Sequence, residues 1–194
     1  VTNASLDASG VEYGVYAYKG VTLDHATVTV RTSASGGQAI ALITDGDDIV
    51  IKNGSTVDAF AEGKFSVAIS TRNHQPNVAG GHIYISDSVV KAIARYVETG
   101  GDGPDHYSND QSGGVIPEPR GLNIGIFAQT YEGITPASIS IVRSKLTAEG
   151  DTAAIFALAI SEDGKAIGTI KIEGAPIQTP AGGKIINYYN EEEY

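Results

Sequence analysis

The stretch IYISDSVVKAIA (83–94) is almost a second copy of IVIKNGSTVDAFA (49–61). Each opens with alternating aliphatics, crosses a polar corner and closes on another alternating run. An internal repeat constrains a fold more than any local propensity, because each unit must bury its apolar face against the next. With the apolar residue of STVDA as anchor, the equivalent positions are Leu6, Val28, Val57, Val90, Leu146 and Ile177. Two residues after each anchor come Ala8, Val30, Ala59, Ala92, Ala148 and Thr179. Before the anchors lie the pairs Val21/Leu23, Ile49/Ile51, Ile83/Ile85, Ile139/Ile141 and Ile170/Ile172.

A third run recurs between these: GVYA (14–17), AIAL (39–42), SVAI (66–69), GIFA (125–128) and AIFA (154–157). Each unit thus carries three short period-2 runs divided by Gly, Asn, Asp and Ser corners, the mark of strands with one inward and one outward face. The anchors stand 22 to 33 residues apart except for one gap of 56. Three strands per turn at that period describe an all-β solenoid, a parallel β-helix of about five to six coils. Coils stacked about 4.8 Å apart set each position above its predecessor. Asp58 and Lys91 then face each other across adjacent coils, and His25 shares a polar corner column with Asn3, Asn53 and Asp87.

One domain spans 1–190, with an irregular Gly/Pro/Asp/Ser-rich insertion at about 95–122 and an acidic tail at 191–194. The chain starts on what reads as the third strand of a coil, so an upstream domain or end-to-end self-association is expected there. Corner length varies on one side, at 70–81, 129–137 and 159–168, which marks the decorated edge of a solenoid.

The net charge of −10 disfavours nucleic acid and anionic membranes. Cysteine is absent, which removes disulfides, thiolate metal sites and Cys nucleophiles together. No run nears the roughly 20 apolar residues of a membrane-spanning helix, and no secretion signal lies in this chain.

Chemistry is sparse. The outward positions of the third run read Tyr16, Ala41, Ala68, Phe127 and Phe156, an aromatic column bordered by Tyr18 and Tyr131. Such a stripe is either a sugar-stacking platform or a face covered by the insertion. The acidic turns TDGDD, with Asp45, Asp47 and Asp48, and GDGPDHYSND (101–110) are weak calcium candidates without the spacing of an EF-hand loop. His25, His74, His82 and His106 show no metal-ligand spacing, so no zinc or other cofactor is expected.

The coils SLDASG (5–10), ATVTV (26–30), GSTVDAFAEG (54–63), DSVVKAIA (87–94) and SKLTAEG (144–150) resemble the right-handed parallel β-helix of the pectate-lyase-like superfamily. In texture they are most similar to bacterial surface and adhesin repeats, such as autotransporter passenger domains and gut-bacterial surface proteins. The polygalacturonase-like hydrolases of that superfamily resemble the chain only at Asp47–Asp48 in GDDIVIK, without their Asn-Thr-Asp, Gly-His-Gly and Arg-Ile-Lys signatures. The lyases need carboxylates holding calcium and a basic side chain, and no carboxylate cluster is placed beside Arg31, Arg72, Arg95, Arg120 or Arg143. The resemblance implies a right-handed helix and a secreted or cell-surface bacterial setting. The leading expectation is a non-catalytic module for adhesion or carbohydrate binding, with a glycan or host surface as partner. The alternatives are a spacer or stalk without specific ligand and, third, an atypical polysaccharide lyase or hydrolase.

Overall fold

The computed structural model describes residues 1–73, 81–97, 122–131, 137–160, 168–174, 176–179 and 183–187. The described residues form fifteen strands and no helix, so none is a helix long and apolar enough to cross a membrane. In chain order the first eight are β1 (Ser5–Gly10), β2 (Tyr13–Ala17), β3 (Val21–Asp24), β4 (Thr27–Asp45), β5 (Ile49–Lys52), β6 (Thr56–Asn73), β7 (His82–Ser86) and β8 (Val89–Tyr96). The remainder are β9 (Asn123–Tyr131), β10 (Ala137–Val142), β11 (Lys145–Glu149), β12 (Ala153–Ile160), β13 (Gly168–Glu173), β14 (Ile177–Gln178) and β15 (Ile185–Asn187).

All pairings between strands are parallel, and they build two sheets. A five-stranded sheet runs β13-β10-β7-β5-β3, and a ten-stranded sheet holds the rest. The chain visits them alternately, so that each pass lays a new strand on the previous one. The expected columns are present: Leu6, Val28, Val57, Val90, Leu146 and Ile177 are register partners in succession. So are Val21, Ile49, Ile83, Ile139 and Ile170, and likewise Leu23, Ile51, Ile85, Ile141 and Ile172. These columns meet in one aliphatic core between the sheets, fully buried in the middle passes. Leu6, Ala8, Val15, Val21, Ile170 and Ile177, at the two ends, are only half-buried.

Two expectations change. The three short strands expected in each coil are not separate throughout: in β4 and β6 the second and third runs join in single strands of 19 and 18 residues, in one sheet. Pairing persists through the bend because small residues fill it, with a register shift between Ala34 and Gln38. A Cβ on Gly63 there would lie 2.9 Å from the Gly37 carbonyl oxygen. The other change concerns the third run. Its register partners are Val15, Leu42, Ile69, Ile126, Ile155 and Ile185, so GVYA aligns with 41–44 and 68–71, two residues beyond the positions read from the sequence. Ala41 and Ala68 belong to the inner core instead of the outward column. The cause is a stacked kink: at Gly14, Ala41, Ala68, Gly125 and Ala154 the strict alternation breaks, and the small residue and its successor both face inward.

One corner repeats at every pass. Asn3, His25, Asn53, Asp87 and Arg143 all hold positive φ, between 44° and 56°, and Gly174 closes the series at 57°. Asn and Asp tolerate this left-handed region; His and Arg adopt it here at some strain. The strain is offset by side-chain bonds. His25 Nδ1 lies 2.8 Å from Asp24 Oδ1, Asn53 Nδ2 donates to the same oxygen at 2.9 Å, and Arg143 grips Asp87 through two bonds of 2.7 and 2.8 Å. His25 therefore does stand in the corner column, bonded to a carboxylate. Just inside the corner, buried Ser55 and Ser144 accept the main-chain N–H of Ala26 and Ser88 and donate to the carbonyls of Lys52 and Val142.

Candidate functional site

The outward column beside the kink reads Tyr16, Ile43, Ser70, Phe127 and Phe156 in successive strands. It does not form a uniformly open stripe. Ile40, Ile43, Val67, Ile124, Phe127, Ala153 and Leu158 make a second buried cluster on the outer side of the ten-stranded sheet, joined by half-buried Tyr13, Phe65, Leu122 and Phe156. Phe127 is 4 % exposed and stacks on Phe156 with ring centroids 5.3 Å apart. These two rings are packing residues. Both faces of this part of the sheet are thus dry, contrary to the single inward face read from the sequence. The expectation that the insertion covers the column falls on 98–121, outside the described residues. Tyr131 is paired with Ile160 through its backbone, and its side chain is likewise outside the description.

The open end of the column is different. Tyr16 is 46 % exposed and Tyr18 62 % exposed. Tyr13 meets Tyr16 edge to face at 5.4 Å, and Tyr16 Oη donates to Asp45 Oδ2 at 2.8 Å. That bond is the chief reason the Tyr16 phenol holds its proton to higher pH than usual. Burial does the same for Tyr13, reinforced by Glu12 and opposed by Arg72. Asp45 and Arg72 are register partners on β4 and β6, so both ends of this pair stand beside the tyrosines. The result is an exposed aromatic step with a carboxylate and a guanidinium at its foot.

The three acidic-turn residues do not converge. Asp45 binds Tyr16, Asp47 Oδ1 accepts the N–H of Asp48, and Asp48 Oδ1 accepts the main-chain N–H of His82 at 3.0 Å. Among the described residues no three His, Asp or Glu side chains form a metal-ligating group. The turn at 101–110, with His106, and His74 lie outside the described residues.

Of the five arginines beside which the sequence places no carboxylate cluster, three have a single carboxylate neighbour, and Arg120 lies outside the described residues. Arg31 bonds Asp58 at 2.6 Å, Arg95 lies 3.9 Å from Glu149, and Arg143 pairs with Asp87. The expected Asp58–Lys91 pair exists at 4.0 Å, outdone by Arg31. Arg31 and Arg95 also flank the Phe60 ring at 6.0 and 5.9 Å.

A further grouping escaped the sequence reading. On the outer face of the five-stranded sheet, Asp48 immediately precedes β5, His82 and Ser138 lie on the adjacent strands β7 and β10, and His82 Nδ1 is 2.7 Å from Ser138 Oγ. Asp48 holds the His82 backbone and not its ring, so the order Asp-His-Ser is a cross-strand bond and not the relay of an acyl-transfer triad. Beside it, exposed Tyr84 tilts against His82 at 5.8 Å. Aligning the outward residues Thr22, Val50, Tyr84, Ser140 and Lys171 from copy to copy would have revealed this face.

No family model, curated protein or solved structure matches the chain.

Proposed function

We propose that the two parallel sheets are the walls of one right-handed parallel β-helix of about five to six coils, as in the pectate-lyase-like superfamily. On that scaffold the chain is a non-catalytic carbohydrate-binding module of a secreted or surface-attached bacterial protein. What supports the scaffold is the unbroken register of the Leu6–Ile177 and Val21–Ile170 columns from one pass to the next. What supports the ligand is exposed Tyr16, bonded to Asp45 with Arg72 beside it, and exposed Tyr18 two residues further along the chain.

Aromatic faces take the apolar C–H face of a sugar ring, while a carboxylate and a guanidinium accept from and donate to its hydroxyls. The net charge of −10 directs the site to neutral glycans over polyanions. The secreted bacterial setting rests on the surface-repeat resemblance of the coils.

A glycan array followed by titration calorimetry tests this. Tyr16→Ala and Tyr18→Ala should each weaken the best neutral ligand about tenfold or more, roughly 1.4 kcal/mol, without altering the melting curve. Undiminished binding in both variants, or cleavage of a polysaccharide by the wild-type chain, defeats the reading. Phe127→Ala should act on stability instead.

A further inference from the structure

Asn53 and Gly54, in the corner between β5 and β6, are the one Asn-Gly pair in the sequence. A glycine after an asparagine sets no side chain in the way of its own amide nitrogen, which is then free to attack the asparagine side-chain carbonyl. Both residues are exposed, so water reaches the pair. Gly54 holds φ at 76°, a conformation that a residue with a Cβ adopts only at some strain, so the labile pair is built into this corner. The other non-glycine corner residues of positive φ, Asn3, His25, Asp87 and Arg143, are followed by Ala4, Ala26, Ser88 and Ser144. The fast route is thus confined to one pass in the middle of the stack.

Two hydrogen bonds oppose the reaction in the closed corner. Asn53 Nδ2 donates to Asp24 Oδ1 at 2.9 Å, which ties the side-chain amide to the preceding pass. The Gly54 N–H donates to the Asp87 carbonyl oxygen of the following pass at 2.7 Å, and a nitrogen so engaged keeps its proton. Asp24 is itself anchored, by His25 at 2.8 Å and by Lys52 at 3.4 Å.

We propose that Asn53 is a site of spontaneous deamidation which the corner holds closed, with Asp24 as its latch. When the corner opens, the Gly54 nitrogen gives its proton to water and bonds to Asn53 Cγ, and the side-chain nitrogen leaves as ammonia. Water then opens the cyclic imide at one carbonyl or the other, leaving an aspartate at position 53 or its β-linked isomer. Neither product suits the corner. The aspartate sets a carboxylate against Asp24 Oδ1 where an N–H now donates, and like charges so close are destabilising. The isomer lengthens the main chain by a methylene in a bend whose length sets the register of β5 and β6. A modified corner does not close as before, so the change accumulates in one direction.

The inference uses the corner alone and is independent of glycan binding. The full chain is incubated at mildly alkaline pH, folded and in parallel unfolded in guanidinium chloride, and peptide mapping by mass spectrometry follows each asparagine. Position 53 should convert at least about tenfold more slowly in the folded chain, as befits a site that reacts only on local opening. Asp24→Ala removes the acceptor and should speed conversion at position 53 of the folded chain several-fold. Asp24→Asn, which keeps an acceptor oxygen, should stay close to the wild type. Asn53→Asp, made directly as the product, should melt below both the wild type and Asn53→Ala, the excess loss reporting the charge. Equal rates in the folded and unfolded chains overturn the proposal. So does Asp24→Ala converting no faster than Asp24→Asn, or Asn53→Asp melting like the wild type.

Discussion

Ile69 and Ile185 occupy one column, Val15-Leu42-Ile69-Ile126-Ile155-Ile185, at its centre and its end. Ile69 is fully buried between Leu42 and Ile126, while Ile185 is nearly half exposed. Ile69→Ala deletes three carbon groups, about 2.4 kcal/mol at about 0.8 kcal/mol each. A cavity penalty adds to this, because the neighbours above and below are held by strand hydrogen bonds and cannot close in. The total falls within the range of about 2–5 kcal/mol usual for such deletions. At Ile185 only half the side chain leaves water and no cavity forms, so the same change should cost about 1 kcal/mol. Urea unfolding followed by circular dichroism, at concentrations where the chain is monomeric, reads both numbers, with an unchanged m-value showing that the unfolded state is the same. Equal losses at the two positions, or a loss below about 1 kcal/mol at Ile69, would refute the column.

Other substitutions probe other parts of the same scheme. Val57→Asp places an unpaired carboxylate in the inner core and should remove several kcal/mol, about a third or more of an ordinary stability of roughly 5–15 kcal/mol; native-like melting would contradict its inward position. Asp87 has its carboxyl held below the usual 3.8 chiefly by the Arg143 bond. A depressed folded pKa means that this stabilisation is complete above the ordinary value and fades as pH falls through the lower one. Asp87→Asn should therefore flatten the acid limb of stability against pH, and a titration of the Asp87 carboxyl at its ordinary value would dismiss the pair. Gly125→Ala would put a Cβ 2.6 Å from the Ala154 carbonyl oxygen. Crowding of that kind costs about 1–3 kcal/mol, and a thermal shift of nearly zero would show that the kink relaxes freely. In a double-mutant cycle Arg31–Asp58 should couple by about 0.2–1 kcal/mol and exceed Lys91–Asp58, given its shorter, half-exposed geometry.

The sequence alone determined which residues face the inner core in two of the three runs. Val21/Leu23 through Ile170/Ile172, and the anchors from Leu6 to Ile177, alternate with mostly polar neighbours, Val50, Tyr84 and Val89 being among the exceptions, and a period of two is unambiguous when only one face is dry. It also marked the corner, because Asn3, Asn53 and Asp87 are residue types that a left-handed turn accepts, and His25 fell in step with them. Only the tertiary structure decided the third run. Ala39, Ile40, Ala41, Leu42 and Ile43 are all buried, being divided between two apolar clusters on opposite sides of the strand, so alternation carries no register there. A kink of small residues then moves the true column by two positions, takes Ala41 and Ala68 out of it, and buries Phe127 against Phe156. The partnership of Arg31 with Asp58, and the meeting of His82 with Ser138 across 56 residues, likewise depend on which strands become neighbours. Side-chain chemistry can be read along a chain, but adjacency between passes is fixed by the lengths of the bends that join them.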